Sequence, residues 1–280
     1  MRETLRLPQD GRAPAAAALY WQIARRSFRR FSTYRSATFA GAFTNTVFGF
    51  LRAYVLLAVF AHRADVGGFD AADTVTYVFL TQGLWPTIGM FGALELAAKI
   101  RTGDIVSDLY RPVDFQGYWA ANEVGRAGFH AIFRGVPPVL AGALAFDLNL
   151  PSTAAVWLVF LASAVLAFVA SFAFTFLMSL IGFWLLDTRG AEQLLNAVRL
   201  FFGGFVVPVT FFPDALGAVA RALPFVTMIQ LPVEAFLGKY TSGPEIAGLL
   251  LYQLCWAVAL LGAGRLVMAR GVRKLVVQGG

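Results

Sequence analysis

The sequence predicts an all-α polytopic membrane protein with six transmembrane helices, and three observations carry that prediction. Hydrophobic residues make up 58% of the 280 residues and charged residues only 14%, against roughly 45–50% and about 25% in soluble proteins. Mean hydropathy is +0.67, and the 27 phenylalanines exceed what a soluble core of this size would bury. The basic residues behind the net charge of +7 cluster at the ends of apolar segments. That is membrane topology rather than a nucleic-acid signature. The single cysteine, Cys255, lies in an apolar run, so neither an internal disulfide nor a cysteine metal site can form.

Residues 1–14 are polar, with Pro8, Gly11 and Pro14, and read as a disordered cytoplasmic tail without a cleavable signal peptide. Residues 15–280 read as one transmembrane domain. In 15–35, Tyr20, Trp21, Phe28 and Phe31 alternate with Arg25, Arg26, Arg29 and Arg30. This is the pattern of an N-terminal amphipathic interfacial helix, whose arginines would each gain about 1 kcal/mol from anionic headgroups. A plain positive-inside flank is the simpler alternative.

The expected spans are 37–61, 74–98, 127–147, 154–186, 194–212 and 246–268, each near or above the ~20 residues a bilayer requires. Arg52 in the first span either snorkels to the outer surface or serves a pathway. Gln82, Trp85 and Pro86 interrupt the second, with Glu95 near its inner end, and Pro137 and Pro138 break the third. The fourth carries many small residues suited to close helix contact. The fifth holds Asn196, Arg199 and Gly203–Gly204. Between the fifth and sixth, 213–239 is too broken by Pro213, Pro224 and Pro232 for a span, yet too apolar for a loop. It reads as two short re-entrant or interfacial helices, near Asp214–Ala222 and Thr227–Leu237, with Glu234 as the charge to watch. Basic residues concentrate at 25–35, 99–126, 189 and 265–274, and only Arg63, Arg221 and Lys239 fall in the opposite set of loops. Both termini are therefore expected in the cytoplasm.

The most polar internal stretch is 99–114, KIRTGDIVSDLYRPVD, too charged to enter lipid. It reads as a cytoplasmic loop facing a partner. No HExxH, GxSxG or GxxxxGK[ST] pattern occurs, and His62 and His130 lack further ligands nearby. The chain is expected to be neither an enzyme nor a metal protein. An ATPase-independent channel or secondary carrier remains an alternative reading, although Arg52 and Gln82 are thin mid-span candidates for one. A membrane scaffold protein is another.

The loop residues Ile100-Arg101-Thr102-Gly103-Asp104-Ile105 and Leu109-Tyr110-Arg111-Pro112, set after the second span, resemble the motif of the ABC-2 type permeases, the membrane subunits of bacterial ABC exporters. The similarity covers nearly the whole chain. It implies a non-catalytic subunit of the bacterial inner (cytoplasmic) membrane, paired with an identical or related second permease. Separate cytoplasmic ATPase subunits would bind ATP and Mg, so no cofactor is expected in this chain. It also implies that the interfacial helix and the loop rest on the ATPase, with Arg101, Gly103, Asp104, Asp108, Leu109, Arg111 and Pro112 as coupling residues. Gly103 would make a turn and Asp104 would cap the next helix. Asp108 and Arg111 would meet either the ATPase or each other. By the same resemblance the substrate route runs along the second and fifth spans, which makes Gln82, Trp85, Met90, Phe201, Phe205 and Val209 candidates. Lipid contact or bundle packing is the alternative for each aromatic.

Overall fold

The structure, a computed structural model, describes residues 12–88, 93–185 and 187–274. Most of the expected N-terminal tail, Met90 and the chain's last residues lie outside them. Among the described residues the regular elements are all helices.

Of the described helices, three are long and apolar enough to cross a membrane. They are α2 (Arg35–Leu57, continued by the 3₁₀ turn Ala58–Ala61), α8 (Ala154–Ser179, continued through Phe183) and α12 (Gly243–Gly271, continued through Lys274). The helix α10 (Asp214–Ala222) meets the segment Pro224–Phe236, which contains α11 (Gln230–Phe236), at 74°. Counted as one bent span, this pair would be a fourth.

The remaining expected spans differ from continuous apolar helices, each for a local reason. Within 74–98 lie two helices, α3 (Ala71–Ile88) and α4 (Ala93–Thr102). Pro86 sits in the last turn of α3, where it removes a backbone donor and crowds the preceding turn. Within 127–147 lie the end of α6 (Phe115–His130), a π turn over Ala131–Gly135 and α7 (Val136–Ala145). The wider turn precedes Pro137 and Pro138, neither of which can donate to the helix behind it. The fifth segment, 194–212, is α-helical only as far as Phe202, in α9 (Arg189–Phe202), with a single 3₁₀ turn at Val209–Phe211 beyond it. Gly204 takes φ +86°, a left-handed conformation that glycine adopts without penalty and that stops the helix.

The core is built on α8. Its small residues Ala167, Ala170 and Ala173 are fully buried and let α11 and α12 approach closely. Phe174 and Met178 then pack with Met228, Ile229 and Leu260. Every residue of α11 is buried, so this short helix lies inside the bundle. Helix α3 is equally enclosed, with Thr74 through Gln82 all buried.

Helix α1, the polar loop and the last turns of α12 gather at one end. There α1 (Arg12–Ser32) lies along α6, where Ser27 donates to the Asn122 carbonyl at 2.7 Å. Arg265 of α12 donates to Gln116 at 3.1 Å. At the opposite end Lys239 joins Asp73 at 2.5 Å, and Asn149 donates to the same carboxylate at 2.7 Å.

Candidate coupling loop and translocation face

The polar loop is a folded helix-turn-helix. Helix α4 ends at Thr102, Gly103 turns the chain at φ +81°, and α5 (Ile105–Leu109) follows. Ile105 is fully buried in an apolar cluster with Leu96, Ile100, Trp119, Phe172, Phe176 and Leu180. Asp108 is buried as well, paired with Lys99 at 2.8 Å and with Arg111 at 3.2 Å. Arg111 also lies over the Tyr118 ring at 4.6 Å. The Asp108–Arg111 pair is thus internal to the loop. Asp104 stands at the N-cap of α5 but makes no capping bond. Its carboxylate instead accepts from the Thr102 hydroxyl at 2.7 Å. Asp114 is the residue that caps, accepting from the Gly117 N–H at 2.7 Å at the start of α6. The outward face of the loop consists of Arg101, Gly103, Asp104, Arg111 and Pro112, with Leu109 half-buried. Tyr110, 82% exposed, joins that face. Only its place in the Leu-x-Arg-Pro run could have pointed to it in the sequence.

The candidate pathway residues among those described do not form one wall. Trp85 and Phe205 meet, with ring centroids 4.9 Å apart. Arg52 lies over Phe205 at 4.6 Å and Arg199 over Trp85 at 5.5 Å, so two guanidinium groups flank an aromatic pair. Phe201 instead stacks on Phe212 at 5.0 Å. Gln82 is buried beside Gly49 of α2, and Val209 is buried with its N–H bonded to Gln230 at 3.0 Å. Arg52 does not snorkel. It donates to Thr81 at 3.2 Å and to the carbonyl of Phe205, holding α2 and α3 to the irregular chain after α9.

Two buried arginines terminate α3. Helix ends leave carbonyls without partners, and cations suit the C-terminal dipole. Arg126 donates to the Pro86 and Thr87 carbonyls at 3.0 Å each, and its Nε donates to Glu123 at 2.8 Å. Arg199, 1% exposed, donates to the Ile88 carbonyl at 3.3 Å and to Ser171 at 3.2 Å; Ser171 donates to the same carbonyl at 2.5 Å. Neither contact has a sequence signal, because the acceptors are backbone atoms far along the chain.

A second polar chain crosses the bundle. Tyr77 donates to the Gly204 carbonyl at 2.7 Å and contacts Gln230 Oε1 at 2.5 Å. Gln230 donates to Glu234 at 2.8 Å, and Tyr240 donates to the other oxygen of Glu234 at 2.6 Å. Burial, then the Glu234 charge, push the Tyr240 phenol far above the ordinary tyrosine value, which keeps it a donor. Of the interfacial arginines, Arg25, Arg26 and Arg29 are exposed. Arg30 is bound through both terminal nitrogens to Glu95 of α4, at 2.6 and 3.1 Å.

Three apolar helices long enough to cross a membrane, joined by buried charge and carrying a charged loop at one end, define a multi-pass helical membrane protein. The family model described as ABC-2 family transporter protein matches residues 45–279. The chain belongs to that family and is a membrane permease of an ABC transporter. The match begins inside α2, so α1 lies ahead of it. A comparison with curated proteins returns no match.

Proposed function

We propose that the chain is the permease subunit of an ATP-driven exporter in the bacterial inner membrane. It forms the substrate route with a second permease, identical or related. The end that carries α1, the polar loop and the C-terminal turn of α12 faces the cytoplasm, where separate ATPase subunits bind ATP and Mg. The observation that carries this reading is the design of the loop within a permease of this family. Its inner face is locked to the bundle by Ile105 and Asp108, while Arg101, Asp104, Tyr110 and Arg111 point outward. A loop built this way passes a push from a partner to α4, α6 and α8 without deforming. The aromatic pair Trp85–Phe205, flanked by Arg52 and Arg199, suits an amphiphilic substrate.

Affinity purification of the tagged chain from its native membrane tests the assembly. A P-loop ATPase should copurify in equal amount, and a second permease either accompanies it or does not. Asp104→Arg, at an exposed position, should leave the protein folded and break the link between ATP hydrolysis and transport. Transport unchanged in that variant, or a chain that transports without any ATPase, would remove this reading.

A further inference from the structure

Two cavities at the loop end differ in charge. The smaller, about 140 Å³, is lined by Arg30, Lys99 and Arg126 but also by Glu95 and Glu123, so its charges offset. The larger, about 460 Å³, is lined by Arg30, Arg134 and His130 with Phe31, Tyr34 and Thr38; among the described residues no carboxylate borders it, and of its two arginines Arg30 is paired with Glu95 on the side of the smaller cavity. Its size falls within the roughly 300–1,000 Å³ of ordinary ligand sites.

Three elements build this larger cavity: the last turn of α1, the first turn of α2 and the π turn between α6 and α7. The π turn carries Arg134. Its guanidinium lies over Gly41 of α2, where any side chain would collide with it. π turns of this kind often mark functional positions. Tyr34, the residue before α2, makes no side-chain cap. The partial positive charge of that helix start therefore adds to the arginines. Beyond the cavity the surface turns apolar. Phe39 and Phe43 of α2 are 76% and 72% exposed, and Phe133, Val136 and Leu140 are exposed on the π turn and α7. A basic cradle continuous with two apolar helix faces matches a molecule with an anionic head and hydrocarbon tails.

We infer that this cavity binds the phosphate headgroup of an anionic phospholipid, with Arg134 and the start of α2 toward the phosphate, Arg30 at the rim where both its terminal nitrogens hold Glu95, and the acyl chains along α2 and α7. The site would fix the junction of α1 and α2 in the membrane plane, and it stands whether or not the chain exports.

Native mass spectrometry of the full chain in mild detergent tests this. The chain is titrated with phosphatidylglycerol, with phosphatidylcholine and with glycerol 3-phosphate. Phosphatidylglycerol should bind about tenfold more tightly than phosphatidylcholine, and glycerol 3-phosphate should not displace it. Arg134→Gln should weaken phosphatidylglycerol binding about fivefold, the scale of one arginine at a headgroup. Ala37→Glu, an exposed position on the cavity wall, should do the same without touching the π turn. Arg63→Gln, exposed in the opposite set of loops and outside the lining, should change nothing. Equal binding of the two lipids overturns the proposal, as does a preference that survives both cavity variants. Displacement by glycerol 3-phosphate at the same affinity would make this a site for soluble phosphates and overturn the lipid assignment.

Discussion

The polar loop and the end of α3 both bury charge, and they stabilise it in opposite ways. Asp108 finds its partners close in sequence, in Lys99 and Arg111. Both partners keep contact with solvent, since their side chains are 28% and 47% exposed. Arg126 and Arg199 bind backbone carbonyls 40 and 111 residues away, well inside the bundle. The loop is therefore a self-contained unit, whereas the α3 terminus is a junction where α6, α8 and α9 are joined through Arg126, Ser171 and Arg199. Helix α6, which follows the loop in the chain, carries Arg126 into this junction.

If that difference holds, the largest loss comes at the junction. Arg126→Met leaves the Pro86 and Thr87 carbonyls and the Glu123 carboxylate without their donor. Breaking a buried pair from one side costs roughly 3–5 kcal/mol, to be read from equilibrium unfolding in mixed micelles. Arg199→Met should cost less, roughly 1–3 kcal/mol, because Ser171 still serves the Ile88 carbonyl. Because the two arginines cap one helix end, the double variant should depart from additivity, and strict additivity would break the junction into two independent contacts.

Asp108→Asn tests the other side of the comparison. The amide fills the same space but loses both ion pairs, for about 1–2 kcal/mol, because the partners Lys99 and Arg111 can turn to water. A loss equal to that of Arg126→Met would show that the loop is held in the core as tightly as the α3 end. Gln230→Leu belongs between these cases. It cuts the buried line from Tyr77 to Glu234 and strands the Val209 N–H, for roughly 1–3 kcal/mol.

The same contrast explains what the sequence made legible. Composition and hydropathy identify an all-helical membrane protein, and the loop motif points to its family. Pro86 and the Pro137–Pro138 pair were legible as interruptions of the second and third spans, but hydropathy does not register what the backbone does there, a separate helix α4 and a π turn, nor that the fifth helix ends at Phe202 before Gly203–Gly204. The polar loop was legible as a segment, but which of its charges turn inward was not. Asp104 and Asp108 look alike in sequence, yet one is exposed and the other buried. Arg52 left two readings open because its acceptors are the carbonyls of Phe205 and Val206, and a backbone atom has no signature in a residue string.

The smallest effect belongs to a helix end that is capped locally. Helix α12 begins with Ser242, whose hydroxyl accepts from the Glu245 N–H at 3.4 Å while the Glu245 carboxylate accepts from the Ser242 N–H at 3.1 Å. This reciprocal pair is written in the chain as Ser-x-x-Glu and needs no distant residue. Ser242→Ala should lower stability by about 1 kcal/mol and Ser242→Gly by only a few tenths. Neither should alter the coupling measured between Arg126 and Arg199, because the cap lies at the opposite end of α12 from the Arg265–Gln116 contact with α6. A change in that coupling would mean that the two kinds of helix end are not separable, and the division between a locally held and a remotely held terminus would fall with it.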